Sequence, residues 1–164
     1  MEVVGLTSAA NLRFTEGLGC FDRVLSYEAA HSLESDLPSI YVDFNGDAKL
    51  RRNLHAHLDS NLKYSCSVGG THWHEIGSGK GLPGPPPVLF FAPAQLKKRL
   101  AVWGQAGLQQ RTASAWMAFM QPVTDSARPW LQVIRQSGPE AVAQVYQALL
   151  EGKVRPRDGH MLML

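Results

Sequence analysis

Long apolar runs are missing from these 164 residues, and no window reaches the roughly 18 apolar positions that a bilayer-spanning helix needs. The opening MEVVGLTSAAN has neither a basic leader nor an extended apolar stretch, so no secretory signal is expected. Cysteine is scarce: Cys20 and Cys66 are the only two, with no Cys-x-x-Cys spacing, which points to a reducing compartment and a cytoplasmic protein. Neither sign of charge dominates, since 16 Lys+Arg face 14 Asp+Glu for a net +2, and the balance gives no mandate for nucleic acid or an anionic membrane. The signs are segregated, however. Residues 1–60 hold 5 basic and 9 acidic groups, whereas residues 61–164 hold 11 and 5. The basic second part suits an anionic ligand or a solvated surface.

What is present is an alternation of periods. At this length and 45% hydrophobic content, one domain is expected. EVVGLTS, DRVLSYE, PSIYVDFNGD and LKYSCSVGG read as β-branched or alternating strands. Between them, SAANLRFTEGLG repeats Ala10, Phe14 and Leu18 before a glycine stop, AAHSLES is weakly helical, and AKLRRNLHAHLDSN places Leu50, Leu54 and Leu58 on one stripe of a surface helix. Such alternation with short connections predicts an α/β protein with a parallel sheet and flanking helices. After the prolines of Leu82 to Pro87, VLFFAP is a fifth strand candidate. Three helical pieces are then expected, marked by Leu96, Leu100 and Trp103, by Leu108, Ala115, Trp116 and Phe119, and by Trp130 and Ile134, with breaks at Gly104 to Gly107 and Pro122 to Asp125. A last helix carries Val142, Val145 and Leu149 behind Pro139, and GHMLML closes as a strand. The organisation expected is a single domain with alternating elements in 1–92, a helical segment in 93–137, and a last helix and strand in 138–164.

The run VVGLTSAANLRFTEGLGCFDRVLSYE, followed by IYVDFNGD, a helix and YSCSVGGTHW, resembles the second half of the nucleotide-binding domain of medium-chain dehydrogenases/reductases, nearest the zinc-independent quinone oxidoreductases. Residues Val3 to Leu164 are also similar to an uncharacterised family, a domain of unknown function distantly related to that superfamily, through LGCFDRV, YSCSVGGTHW and FFAPAQ. The resemblance implies a Rossmann-like sheet in the order 3-2-1-4-5-6, with Val3 to Leu6 matching its second strand. The first strand and its glycine-rich turn have no counterpart before EVVGLTS, nor has the substrate-binding domain. A truncated, degenerate or split protein is therefore expected, whose sheet either closes by joining the second strand to the fourth or keeps two open edges that invite another chain, as oligomer or partner.

By that resemblance the cofactor is NADP or NAD, with no metal, and the ligand is a small molecule. Thr7 and Ser8 stand where the adenosine ribose is read, with Arg13 as the cation for a 2′-phosphate and Tyr27 beside it. Asn11 occupies the place where the quinone oxidoreductases carry a cation, which weakens NADP selection. Ser8 also reads as a helix cap and Arg13 as a surface residue. Asn45 and Gly46 close one strand, and Ser67, Val68 and Gly69 the next, the default wall of a cleft at strand carboxyl ends or, for Asn-Gly, a simple turn.

Residual motifs carry less. The glycine-rich GSGKG is not a phosphate loop, because Lys80 is followed by Gly81 and the position five before Gly79 is His74. His72, His74 and Glu75 are the one metal-ligand spacing, and metal-dependent hydrolysis through them is a remote alternative. Ser67 lacks a Gly-x-Ser-x-Gly elbow and Cys66 has nothing identified to activate it. His31, His55, His57 and His160 have generic claims only, and Lys97, Lys98 and Arg99 fit a solvated helix face. The function expected is part of an NAD(P)-dependent oxidoreductase-like protein, inactive alone; the alternative is a non-catalytic Rossmann-like ligand-binding or assembly module.

Overall fold

The computed structural model describes residues 1–70, 81–125 and 127–164. The chain begins with a β-α-β unit: β1 (Val4–Thr7), a 3-10 turn (Ala9–Asn11), α1 (Leu12–Gly17) and β2 (Arg23–Ser26), with β1 and β2 parallel and Val4 opposite Arg23. Gly5 is required in β1 because the Phe21 ring lies across it, and a Cβ there would stand 2.9 Å from the ring. Gly19, at φ 66°, turns the chain back toward β2 in a conformation that β-carbons disfavour.

A 3-10 turn at Glu28–Ser32 leads to β3 (Ser39–Asp43), α2 (Ala48–Leu58) and β4 (Leu62–Ser67), a second unit whose strands are again parallel. The two-residue β5 (Val88–Leu89) pairs parallel with the end of β4. Helix α2 forms where the sequence predicts it. Asp47 caps it by accepting from the backbone N–H groups of Lys49 (2.7 Å) and Leu50 (2.9 Å), and the stripe Leu50, Leu54 and Leu58 is buried. The core is built from Ala30, Leu50 and Leu54, with Leu6 of β1, Tyr27, Leu33 and Tyr41 of β3 packed against it.

This shared core places β1 and β3 over the same layer, yet they belong to different sheets: β1 pairs with β2, and β3 with β4 and β5. Of the two expected outcomes for the sheet, β1 and β3 do not pair with each other among the described residues.

The third unit departs from the sequence reading. Three helical pieces are expected, and the first expected break is found at Gly104, where the two helical stretches of α3 (Ala92–Val123) meet, though it does not extend to Gly107. Gly104 bends it, at φ 66° and ψ 173°, while Gly107 remains helical and Pro122 lies in the last turn. The third expected piece is wrong: Ile134 lies in a strand, β6 (Gln132–Ser137), paired in register with His160 of β7 (Asp158–Met163) across α4 (Pro139–Leu150). The residues 93–137 are therefore not uniformly helical. β-branched Val133 and Ile134 flanked by polar residues fit a strand pairing with GHMLM, and tertiary pairing overrides the short apolar spacing read as helix. Among the described residues, no helix is long and apolar enough to cross a membrane.

Candidate functional site

All described sheets are parallel, so their strands within each sheet end on a common side, and the predicted residues follow those ends. At the end of β1, Thr7 offers its carbonyl to the backbone N–H of Tyr27 (2.9 Å), which ties the two expected ribose-side positions together. Ser8 occupies the N-cap position of the following 3-10 turn and makes no side-chain capping bond there, so the capping reading of Ser8 is not realised. Arg13 lies exposed on α1, and Asn11 is absorbed locally, its carbonyl accepting from the Thr15 hydroxyl at 3.0 Å.

The second group is organised by a residue that sequence reasoning missed. Asp43, 2% exposed at the end of β3, accepts through Oδ1 from the backbone N–H groups of Asn45 (3.1 Å) and Gly46 (2.8 Å), and through Oδ2 from Arg51 Nε (3.0 Å). Its carbonyl accepts from Val68 (2.8 Å) and Gly69 (3.3 Å). One residue thus joins the Asn45-Gly46 turn to the Ser67-Val68-Gly69 loop. Gly46 needs its φ of 81° in that turn, and Gly69 lets the Phe44 carbonyl approach so closely that a Cβ would sit 2.7 Å from its oxygen. The signal in the sequence was an aspartate ending an apolar strand eight residues before an arginine on the buried side of α2.

Next to these loops, a cleft of about 370 Å³ opens between the Glu28–Ser32 turn and α2, lined by Tyr27, His31, Asp47, Lys49, Asn53 and His57 among others. Burial raises the Tyr27 hydroxyl above its ordinary range, and the carboxylates of Asp47, Asp43 and Glu28 raise it further, so Tyr27 faces the cleft as a neutral donor. Burial, then Asp43, raises Tyr41 still more strongly. His57 Nε2 donates to the Leu33 carbonyl (2.7 Å) and His31 Nδ1 to that of Glu28 (2.7 Å), which fixes both rings at the rim. The N-terminus of α2 is filled by the Asp47 carboxylate, so an anion finds repulsion there rather than open donors.

His55 is not the surface residue its helix suggested: it is fully buried, with Nδ1 donating to the Pro83 carbonyl (2.8 Å) and Nε2 accepting from the Ser65 hydroxyl (3.0 Å). A serine paired to a histidine has nucleophilic geometry, but Ser65 is as buried as its partner and no substrate reaches it. The pair instead clamps α2 to β4 and to the proline loop. His72, His74, Glu75 and Trp73 lie outside the described residues, as does Lys80. Among the described residues no three His, Cys, Asp or Glu side chains form a group able to hold a metal. No curated protein and no solved structure matches the chain. A family model does, over residues 1–155, and the chain belongs to that family, described as Protein of unknown function (DUF2855).

Proposed function

We propose that the chain is part of an NAD(P)-dependent oxidoreductase-like protein of the medium-chain reductase type, acting in the cytoplasm, and that it holds the adenosine side of the cofactor without turning over substrate alone. The observation that supports this most is that two groups stand behind parallel strand ends, Thr7 with Tyr27 on one sheet and Asn45, Gly46, Val68 and Gly69 around Asp43 on the other, with a cleft lined by Tyr27. The Thr7 and Ser8 hydroxyls and the neutral Tyr27 hydroxyl suit ribose oxygens, Lys49 lines the cleft, and Arg13, exposed on α1, is the cation the resemblance assigns to phosphate. Hydride transfer is chemistry the dinucleotide supplies when bound; these residues would orient its ribose.

Isothermal titration with NADP⁺, NAD⁺ and 2′,5′-ADP tests the reading. A dissociation constant of about 1 mM, or −4 kcal/mol, is expected, weakened by Tyr27→Phe. Equal heats for the Tyr27→Phe protein, or none at all with any of the three, would remove the proposal. The second reading, a non-catalytic assembly module, is favoured by one observation, that among the described residues β1 and β3 are each paired on one side only.

A further inference from the structure

We propose that two copies of this chain exchange α3, each laying the stretch from Ala92 to Gly104 on the open face of the other's β3-β4-β5 sheet. This inference does not depend on the nucleotide reading. The two faces of that sheet differ. On one, Tyr41 packs against the Leu50 and Leu54 cluster, Asp43 pairs with Arg51, and Ser65 bonds to His55, so α2 covers it. Alternation along the strands turns their neighbours to the other side. There Ile40 lies in register with Tyr64, and Val42 with Cys66 and then Val88, which makes one apolar surface across three strands. Cys66 at its centre is buried, but Ile40 is 63% exposed, and Val42, Tyr64 and Val88 are exposed as well. Parallel sheets carry helices on both faces, and among the described residues this one has them on one.

Helix α3 has the matching deficiency. Among its described residues Val123 is the buried one, while Leu96, 57% exposed, and Leu100 stand one turn apart with their apolar stripe in solvent. A helix draws most of its stability from a packed apolar face, so this stripe calls for a cover. Within one chain the two surfaces do not meet, since both are exposed. Their dimensions agree: up to the bend at Gly104 the helix is about 18 Å long, and β3 and β4 are about 17–20 Å.

Charge and area select a second copy as the occupant. Helix α3 carries Lys97, Lys98, Arg99 and Arg111 and no acidic residue, whereas residues 1–60, which supply β3 and α2, hold 9 acidic groups against 5 basic. A foreign helix would cover the sheet and leave α3 bare, and an acidic surface would do the reverse. A second copy meets both at once and closes as a twofold pair. The surface suffices for this. A closed monomer of 18.0 kDa exposes about 8,000 Å², whereas this chain exposes 11908 Å², Ile40, Val42, Leu96 and Leu100 included. Each chain gives one interface and receives another, about 1,600 Å² at the roughly 800 Å² per partner of a standard contact, which lies within that excess.

Analytical ultracentrifugation of the intact chain and of two variants tests the exchange. One variant carries Ile40→Lys and Val42→Lys on the sheet, the other Leu96→Lys and Leu100→Lys on α3. All four side chains are exposed in the single chain, and circular dichroism checks that each variant keeps the parent spectrum. The unmodified chain is expected to be dimeric at about 100 µM, and each variant alone monomeric there, because both interfaces of its dimer are disrupted. An equal mixture of the variants regains a dimer, since α3 of the sheet variant still fits the sheet of the α3 variant. An unmodified chain that is monomeric at that concentration would overturn the proposal without recourse to any variant, and is the result expected if α3 folds back onto its own sheet. Dimerisation of either variant alone would also overturn it, in favour of α3 pairing with α3 or sheet with sheet. Two monomeric variants whose mixture stays monomeric would do the same.

Discussion

Asp43 and Asp47 stand four residues apart with the same charge and different work. Asp43 is buried against Arg51 and holds two loops, so Asp43→Ala removes the carboxylate paired with a buried guanidinium and the acceptor of the Asn45 and Gly46 amides; the expected loss is about 3–5 kcal/mol in urea unfolding. Asp47 caps a helix from a half-exposed position, and Asp47→Ala should cost about 1 kcal/mol. Equal losses would show that the Asp43 cluster does not organise the site. Tyrosine supplies the pH dependence. Folding raises the Tyr27 and Tyr41 hydroxyls above the ordinary 10.0, so the unfolded chain loses these protons first as pH rises. Their contribution is complete below pH 10.0 and falls as pH climbs beyond it toward the folded values. Tyr41→Phe should lessen the alkaline loss of stability, measured as melting temperature against pH, and remove the latest-titrating phenolate from the absorbance titration. Neither Asp43 nor Tyr41 was singled out in the sequence, because an aspartate after an alternating strand reads as turn chemistry until its partners from α2 and β4 are known.

Among the elements, α2 was legible through its leucine stripe, whereas its Asp47 cap and the burial of Arg51 were not singled out. Also hidden was His55, which sits one position from that stripe and is drawn inward by Ser65 and Pro83, partners 10 and 28 residues away. The third helical piece failed for the same physical reason, since β6 exists through pairing with β7 rather than through local preference. The loop after β4 gives an element-scale prediction. Gly69→Ala pushes a methyl against the Phe44 carbonyl, and the displaced Val68 and Gly69 donors release Asp43, costing about 1–3 kcal/mol with chemical-shift changes reaching Asn45. A neutral substitution would mean the loop moves freely and is no cleft wall. In α3, where Val123 is the buried residue, little packing holds the bend at Gly104. Gly104→Ala should straighten the helix and deepen its 222 nm ellipticity; an unchanged signal with lower stability would show that packing fixes the bend.

For the whole molecule, the alternation of strand and helix was readable from the residues, whereas the prospect of an open sheet came only with the resemblance to medium-chain reductases and its strand order. Which way the chain resolves this was not readable: it depends on Leu6 and Tyr41 meeting one helix layer without meeting each other's strands. The same arrangement sets the candidate site, since the Thr7, Ser8 and Tyr27 group lies on one half-sheet and the Asn45 to Gly69 group on the other. A nucleotide that uses both would have to span the gap. The most direct measurement is a ¹H–¹⁵N shift map of the intact chain titrated with NADP⁺ to about 10 mM, roughly tenfold above the expected dissociation constant. Saturable shifts confined to Thr7, Ser8, Tyr27, Asn45, Gly46 and Val68 are predicted, with Gln132 to Ser137 unmoved. No saturable shifts, or shifts centred on β6 and β7, would contradict the account.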